Sequence, residues 1–311
     1  MTTWGIVATI KADARAILDF VAYHLDIGAH RVWVMLDAPC PEVRPALRAH
    51  PKCRLTFCNA QHWQELTGPR PRKHQVRQAL NATHTYRQAS DVDWLAHLDH
   101  DEFLVPDRPV AEILGALPGA TRVVRARPME QLAGSADLFK AHVPGGAERQ
   151  RVARALYPTF GPHVRGGFLS HVAGKILVRT GQPDLQLRIH HAFRDDAQVR
   201  DDAEPEDLAL AHCHAPSWEA WRASYVYRRD HGAYGADLIP PGAQEPGGLT
   251  LHQLFCRLER EQGEAGLRAF FDEVCADSPG LRARLDARGL LRRVELDLAA
   301  RRARHFPSIT L

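Results

Sequence analysis

The sequence predicts an α/β protein: a mixed, mostly parallel sheet flanked by helices, followed by a helical C-terminal region. Three observations carry this. Short apolar runs alternate with helix-period segments up to about residue 127. An acidic run directly follows one of the apolar strands. From Ser217 onward helical periodicity takes over. Such alternation is what a parallel sheet needs, because each parallel strand is reached through a crossover connection.

Trp4 to Ile10 is short and apolar, the pattern of a buried strand. The segment Asp13 to Ile27 then places Ile17, Phe20, Val21, His24 and Ile27 on one helical face, with Asp13 as N-cap and Gly28 just past the C-terminus. Arg31 to Leu36 is a second strand ending in Asp37, so the opening is a β-α-β unit whose ligand-facing ends lie near Lys11 and Asp37. A helix over Glu42 to His50 and a strand over Arg54 to Phe57 follow. Residues 61 to 72, with Gly68-Pro69-Arg70-Pro71, read as a loop. Gln75 to Ala89 is a helix feeding the Trp94 strand, Val110 to Leu117 another helix, and Arg122 to Arg127 a fifth strand. Beyond it the rhythm changes: runs at Lys175 to Arg179 and Leu185 to His190 suggest strands that complete the sheet. A last helix over about 281 to 304 carries eight arginines. Its ordinary reading is a solvated face, and its alternative is contact with an anionic membrane surface.

Composition sets the bounds. Hydrophobic residues make up 45% and charged residues 25%, enough for a sizeable core and against disorder. No segment approaches the roughly 18 apolar residues of a membrane span, and the N-terminus enters Trp4-Gly5-Ile6-Val7 without a basic region or a cleavage site. The six cysteines show no paired spacing, which favours reduced thiols and a cytoplasmic location. Net charge is +3, and only five of the 40 basic residues are lysines. A general bias toward arginine would produce this, so no nucleic-acid partner is expected.

The stretch Asp93 to Val105, DWLAHLDHDEFLV, concentrates the chemistry. Trp94 to Leu98 reads as a buried strand, and Asp99, His100, Asp101 and Glu102 follow it before apolar residues resume. Carboxylates two residues apart can face one hard cation such as Mg²⁺ or Mn²⁺. A second D-x-D at Asp91 and Asp93 precedes the strand, where Asp turns or caps the chain; the Asp99 and Asp101 pair follows it, at the end where open α/β sheets bind ligands.

The wording DVDWLAHLDHDEFLVP resembles the W-x-x-x-x-D-x-D-E-F segment of family 2-like glycosyltransferases with a GT-A (Rossmann-like) fold. The opening IKADARAILDFVAYHLDIGAHRVWVMLD and the segments around Lys175 and His212 extend the resemblance over roughly residues 4 to 230. It implies a catalytic domain over 1–215, a helical extension over 216–311, and sugar transfer from a nucleotide-linked donor (UDP or GDP) to a glycan or other hydroxyl acceptor. Mn²⁺ or Mg²⁺ would be held by Asp99, Asp101 and His212, with Asp101 the direct ligand and Asp99 on ribose or a metal-bound water. His212 lies in LAHCHAPSWEAW, where Cys213 and Trp221 depart from the family's Tyr and Phe, so the choice between His212 and His214 stays open. Lys11 would meet a phosphate or the base, Asp37 the base or ribose, Gln75 the donor, and Lys175 the diphosphate. The family's Asn after the lysine is Ala12 here, and DAPC replaces a more acidic loop at Asp37.

For an inverting reaction a carboxylate base is needed; Asp195, beside Asp196, is the first candidate and Glu130 another. Two other readings use the same residues: a metal-dependent hydrolase built on the His and Asp groups, and a sugar- or nucleotide-binding protein without turnover. The transferase reading places the protein in polysaccharide biosynthesis, in the cytoplasm or at the inner face of the membrane.

Overall fold

The computed structural model describes residues 1–143, 145–232, 234–236 and 249–309. In chain order the elements begin with β1 (Trp4–Ile10), α1 (Ala14–Asp26), β2 (Arg31–Leu36), α2 (Arg44–Ala49), β3 (Cys53–Phe57), α3 (Ala60–Leu66), α4 (His74–Gln88), β4 (Trp94–His97) and β5 (Glu102–Pro106). They continue with α5 (Val110–Gly115), β6 (Val123–Gln131), β7 (Leu138–Lys140), α6 (Ala147–Leu156), β8 (Lys175–Arg179), β9 (Gln186–Leu187), β10 (Ala192–Arg194), β11 (Ala197–Gln198) and β12 (Leu208–His212). Last come α7 (Trp218–His231), α8 (Leu251–Gln262), α9 (Glu264–Val274), α10 (Pro279–Asp286), β13 (Leu291–Arg293) and α11 (Leu298–His305).

Two compact units divide these elements: Met1–Arg127, Ala173–Leu210 and Leu296–Leu311 form the first, and Pro128–Val172 with Ala211–Glu295 the second. The chain changes unit inside β6 and inside β12, so compactness does not follow a single cut at residue 215.

In the first unit the strand order is β6-β8-β4-β1-β2-β3. β3, β2, β1 and β4 run parallel, while β8 pairs antiparallel with both β4 and β6. This is the mixed, mostly parallel, helix-flanked sheet of a GT-A-like fold. All seven residues of β1 are buried, as expected of a strand covered on both faces. Asp13 caps α1 by accepting the Ala16 N–H at 2.9 Å, and Gly28, at φ 101°, takes the left-handed conformation that ends it.

The segment read as a loop over 61 to 72 is half helical. Asn59 accepts the His62 N–H at 2.9 Å and starts α3, and only the Gly-Pro-rich remainder is loop. The C-terminal helix expected over 281 to 304 is likewise corrected. Gly289, at φ 62°, follows the end of α10, β13 pairs with β7, and Asp297, at φ 47°, precedes the separate α11. The arginines of α11 are largely committed: Arg301 donates to Asp26 at 2.7 Å, Arg302 to Asp19 and Arg304 to Asp26, binding α11 to α1. Among the described residues no helix is long and apolar enough to cross a membrane.

The second unit is helical around an aromatic core that includes Trp221, Tyr225, Phe255, Phe270 and Phe271. Its strands β13, β7 and the end of β6 pair antiparallel.

Candidate active site

The first unit brings the ends of three parallel strands to one edge. Leu36 lies in register with Ile10, and His97 with Val7. Asp37 donates its N–H to the Ile10 carbonyl at 2.8 Å, and Leu98 donates to Val7 at 3.2 Å. Lys11, Asp37 and Asp99 thus leave the sheet side by side, at the edge where open α/β sheets take ligands. A cavity of about 530 Å³, lined by Asp13, Arg15, Cys40 and Glu42 among others, opens beside the ends of β1 and β2. That volume lies within the range of roughly 300–1,000 Å³ usual for small-molecule sites.

The acidic run is a tight turn. Glu102 donates its N–H to the Asp99 carbonyl at 3.1 Å, which sets His100 and Asp101 at the two corners between β4 and β5. Asp99 is fixed on every side. Its Oδ1 accepts from Gln78, its Oδ2 accepts from Lys175 Nζ at 2.8 Å, and its own N–H donates to Glu102 Oε2 at 2.8 Å. Lys175 also lies 3.2 Å from Glu102 Oε2, with neither side chain exposed. Burial alone would push the Asp99 carboxyl up; the Lys175 charge outweighs it and holds the group well below the usual range, while nearby Asp101 pushes the other way. Two carboxylates that repel across a turn, offering hard oxygen donors, suit a divalent cation. His97, buried beneath them, is pushed down to about 4, first by burial and then by the Lys175 charge, so it is neutral at pH 7.

Lys175, expected on the diphosphate, is instead buried as the counter-ion of Asp99 and Glu102, because β8 pairs antiparallel with β4 and begins beside the acidic turn. Gln75 does not reach this group. Gln78, one turn further along α4, does, and the signal for it was the helical repeat itself. Asp37, expected on base or ribose, is met by basic side chains from the Gly-Pro loop and α4. Arg70 and Arg77 reach its two oxygens at 2.9 and 2.8 Å, and His74 lies 3.6 Å away. Burial would raise this carboxyl, but the hydrogen bonds from His74, Arg77 and Arg70 hold it down at about 2. Arg77 further donates to the carbonyls of Pro71 at 2.9 Å and Arg72 at 2.7 Å, so the Gly-Pro loop is folded back over Asp37. Lys11 is exposed directly after β1.

The first-choice base, Asp195, lies on an exposed hairpin. Asp195 and Asp196 are the two-residue turn of the β10–β11 hairpin, both at positive φ (47° and 60°) and both exposed. This is the geometry of a type I′ turn, which Asp tolerates better than most residues. In the second unit Glu130 is buried against Lys140 at 2.6 Å and accepts the N–H groups of Leu169 and Ser170, so its carboxylate is structural. His212 ends β12 in the same unit, its ring centroid 5.1 Å from those of His171 and His214. His214 Nε2 lies 2.8 Å from the Tyr234 hydroxyl, and Arg228 donates to the His214 carbonyl at 3.0 Å. Side chains with the donor chemistry for a divalent ion are therefore present, among them Asp101 in the first unit and His212 in the second.

No family model and no curated protein matches the chain. Among solved structures it is similar to HddC from Yersinia pseudotuberculosis, with TM-score 0.37 and 8% identity over 73% of this chain and 100% of that one. It is also similar to the galactosyltransferase LgtC in complex with donor and acceptor sugar analogs, with TM-score 0.32 and 14% identity over 76% and 93% of the two chains. The glycosyltransferase GlyE of Streptococcus pneumoniae aligns over 40% of this chain and 30% of its own, with TM-score 0.25 and 16% identity.

Proposed function

We propose that the protein is a metal-dependent glycosyltransferase that moves a hexosyl group from a nucleotide-sugar donor to an acceptor. The observation that carries this is the acidic turn Asp99–Glu102 at the carboxyl edge of β4, locked by Gln78 and Lys175, with Lys11 and a small-molecule cavity at the neighbouring strand ends. The sequence resemblance to family 2-like glycosyltransferases points to the same turn.

In this reading the residues divide the work by environment. Gln78, Lys175 and Glu102 fix Asp99, so the turn is organised before any ligand arrives and little reorganisation is left for the reaction. With both Asp99 oxygens already accepting hydrogen bonds, direct ligation of Mn²⁺ or Mg²⁺ falls to Asp101. Such an ion, when bound, supplies positive charge to the diphosphate of the donor. Lys11 is placed to add a second positive charge to a phosphate, and the exposed guanidinium of Arg70, oriented by Asp37, a third. His212 remains the histidine that the sequence resemblance assigns to the ion.

The test is a melting-shift screen of nucleoside diphosphates with and without Mn²⁺. One nucleotide should raise the melting temperature only when metal is present, and Asp101→Asn should abolish the shift while leaving the unliganded melting temperature in place. No shift with any nucleotide, or the same shift without metal, would rule the proposal out.

A further inference from the structure

The second unit carries a pair of metal-ligating side chains of a different chemical kind from the acidic turn. His252 and Cys256 stand four residues apart on α8, so both side chains lie on one face of the helix. His252 Nε2 is 3.6 Å from Cys256 Sγ. A tetrahedral Zn²⁺ sits about 2.0–2.1 Å from nitrogen and about 2.3 Å from sulfur, which sets two such ligand atoms roughly 3.5 Å apart. The pair already has that spacing.

Its surroundings fix it in place. His252 Nδ1 lies 3.2 Å from the Tyr234 carbonyl, which only accepts, so in the neutral ring Nδ1 carries the proton and the Nε2 lone pair is left on the Cys256 side. Tyr234 is itself anchored. Its N–H donates to the Arg228 carbonyl at 2.9 Å, and its hydroxyl accepts the Trp221 Nε1–H at 3.1 Å and lies 2.8 Å from His214 Nε2. A capping box closes the first turn of α8: Thr250 Oγ1 accepts the Gln253 N–H at 3.1 Å, and Gln253 Oε1 accepts the Thr250 N–H at 3.0 Å. Leu254, Phe255 and Leu258 are buried on the opposite side, which sets the rotation of the helix and leaves His252 half-buried and Cys256 exposed. Of the other five cysteines, four are buried and Cys213 is half-buried. Arg257 and Arg260, the cations nearest Cys256 along the helix, are both paired with Glu261, at 3.0 and 3.2 Å.

We propose that His252 and Cys256 form a two-residue clamp on α8 for one borderline-soft divalent cation such as Zn²⁺, with water completing its coordination. On binding, the thiol releases its proton to solvent, and the sulfur and Nε2 each form one bond to the ion. A nitrogen–thiolate pair selects zinc-like ions over Mg²⁺ and Mn²⁺, which favour oxygen donors such as Asp101. The two units thus offer sites for two classes of cation, and the clamp stands whether or not the protein transfers sugars.

The probe is Co²⁺, titrated into the full chain with its thiols reduced. Cobalt takes the place of zinc at nitrogen–sulfur sites and gives a sulfur-to-cobalt charge-transfer band only where a thiolate binds it, so ions held by carboxylates are silent. The band should saturate at one cobalt per chain, be displaced by one equivalent of Zn²⁺, and persist in excess Mg²⁺ or Mn²⁺. Cys256→Ser should abolish it, and His252→Ala should weaken cobalt binding by about tenfold or more. Asp101→Asn and Cys213→Ser should leave it unchanged, all variants being checked for folding by circular dichroism. Absence of the band, a band that survives Cys256→Ser, or wild-type affinity in folded His252→Ala overturns the proposal. So does loss of the band in folded Cys213→Ser, which would put the thiolate beside His212 instead, or saturation at one cobalt per two chains.

Discussion

Each unit buries one lysine against carboxylates, and the two pairs are built differently. In the second unit Lys140 is sealed: it meets Glu130 at 2.6 Å, donates to the Val274 carbonyl at 2.9 Å, and lies within 6 Å of the Tyr157 and Phe168 ring centres, at 5.6 and 5.9 Å. Glu130 spends its remaining oxygen capacity on the Leu169 and Ser170 amides. In the first unit Lys175 is as deeply buried, but one of its partners, Asp99, keeps 26% of its side chain exposed and sits on a turn with Asp101. A closed pair holds chain segments together. A pair with one face open to solvent holds a carboxylate in position for something that arrives from outside.

The comparison breaks most visibly through Lys140. Lys140→Met leaves Glu130 buried with no counter-ion and should cost about 3–5 kcal/mol in urea unfolding, while Lys140→Met combined with Glu130→Leu should recover most of that loss. A double variant no more stable than the single one would mean the pair is not the closed unit described. Next in size is Asp101→Asn, which should lower release of nucleoside diphosphate from a nucleotide sugar by about 10²–10³-fold. Its folding stability should stay within about 0.5 kcal/mol, because the residue is at a turn corner.

Acid should then separate the groups by the pH at which each loses its stabilisation. Burial would raise the Glu130 carboxyl, but Lys140 holds it at about 2. Its folded value is below its ordinary one, so its stabilisation is complete above about pH 4.5 and is lost as pH falls toward 2, roughly 3 kcal/mol in all. His97, lowered to about 4, and His24, lowered to about 3, are neutral when buried. Their stabilisation is complete above about pH 6.5 and falls away below it, so unfolding measured between pH 7 and 4 should lose stability before Glu130 contributes to the loss. His97→Leu should make that first limb shallower, and the His24 contribution should remain. The smallest effect belongs to Asp195→Asn, which suits the same turn and should change stability by less than about 0.5 kcal/mol and leave turnover unaltered. A large loss of turnover there would restore Asp195 as the base.

Much of the first unit was readable along the chain. The strands at Trp4, Arg31, Trp94 and Lys175 and the cap at Asp13 follow from local patterns that burial and capping enforce within a few residues. The misses share one cause. Gly-Pro-Arg-Pro hid α3 because the breakers lie after its end, and the arginine-rich tail looked continuous because helical spacing persists across Gly289 and Asp297. Site roles were harder. That Lys175 answers Asp99, that Gln78 rather than Gln75 does so, and that Arg70 and Arg77 close over Asp37 are all long-range pairings, 21 to 76 residues apart in sequence.

The sequence by itself determined where the acidic turn falls, since Asp99 and Asp101 directly follow a run apolar enough to be buried and precede another that is also buried. It determined the parallel β-α-β opening, because strand and helix periods alternate there. Only the tertiary structure decided which charges those carboxylates meet and which acids lie on exposed turns. Strand register and helix rotation bring distant groups within 3 Å or keep them apart, and an ionisable group's behaviour depends on that distance and on burial rather than on its neighbours in the chain.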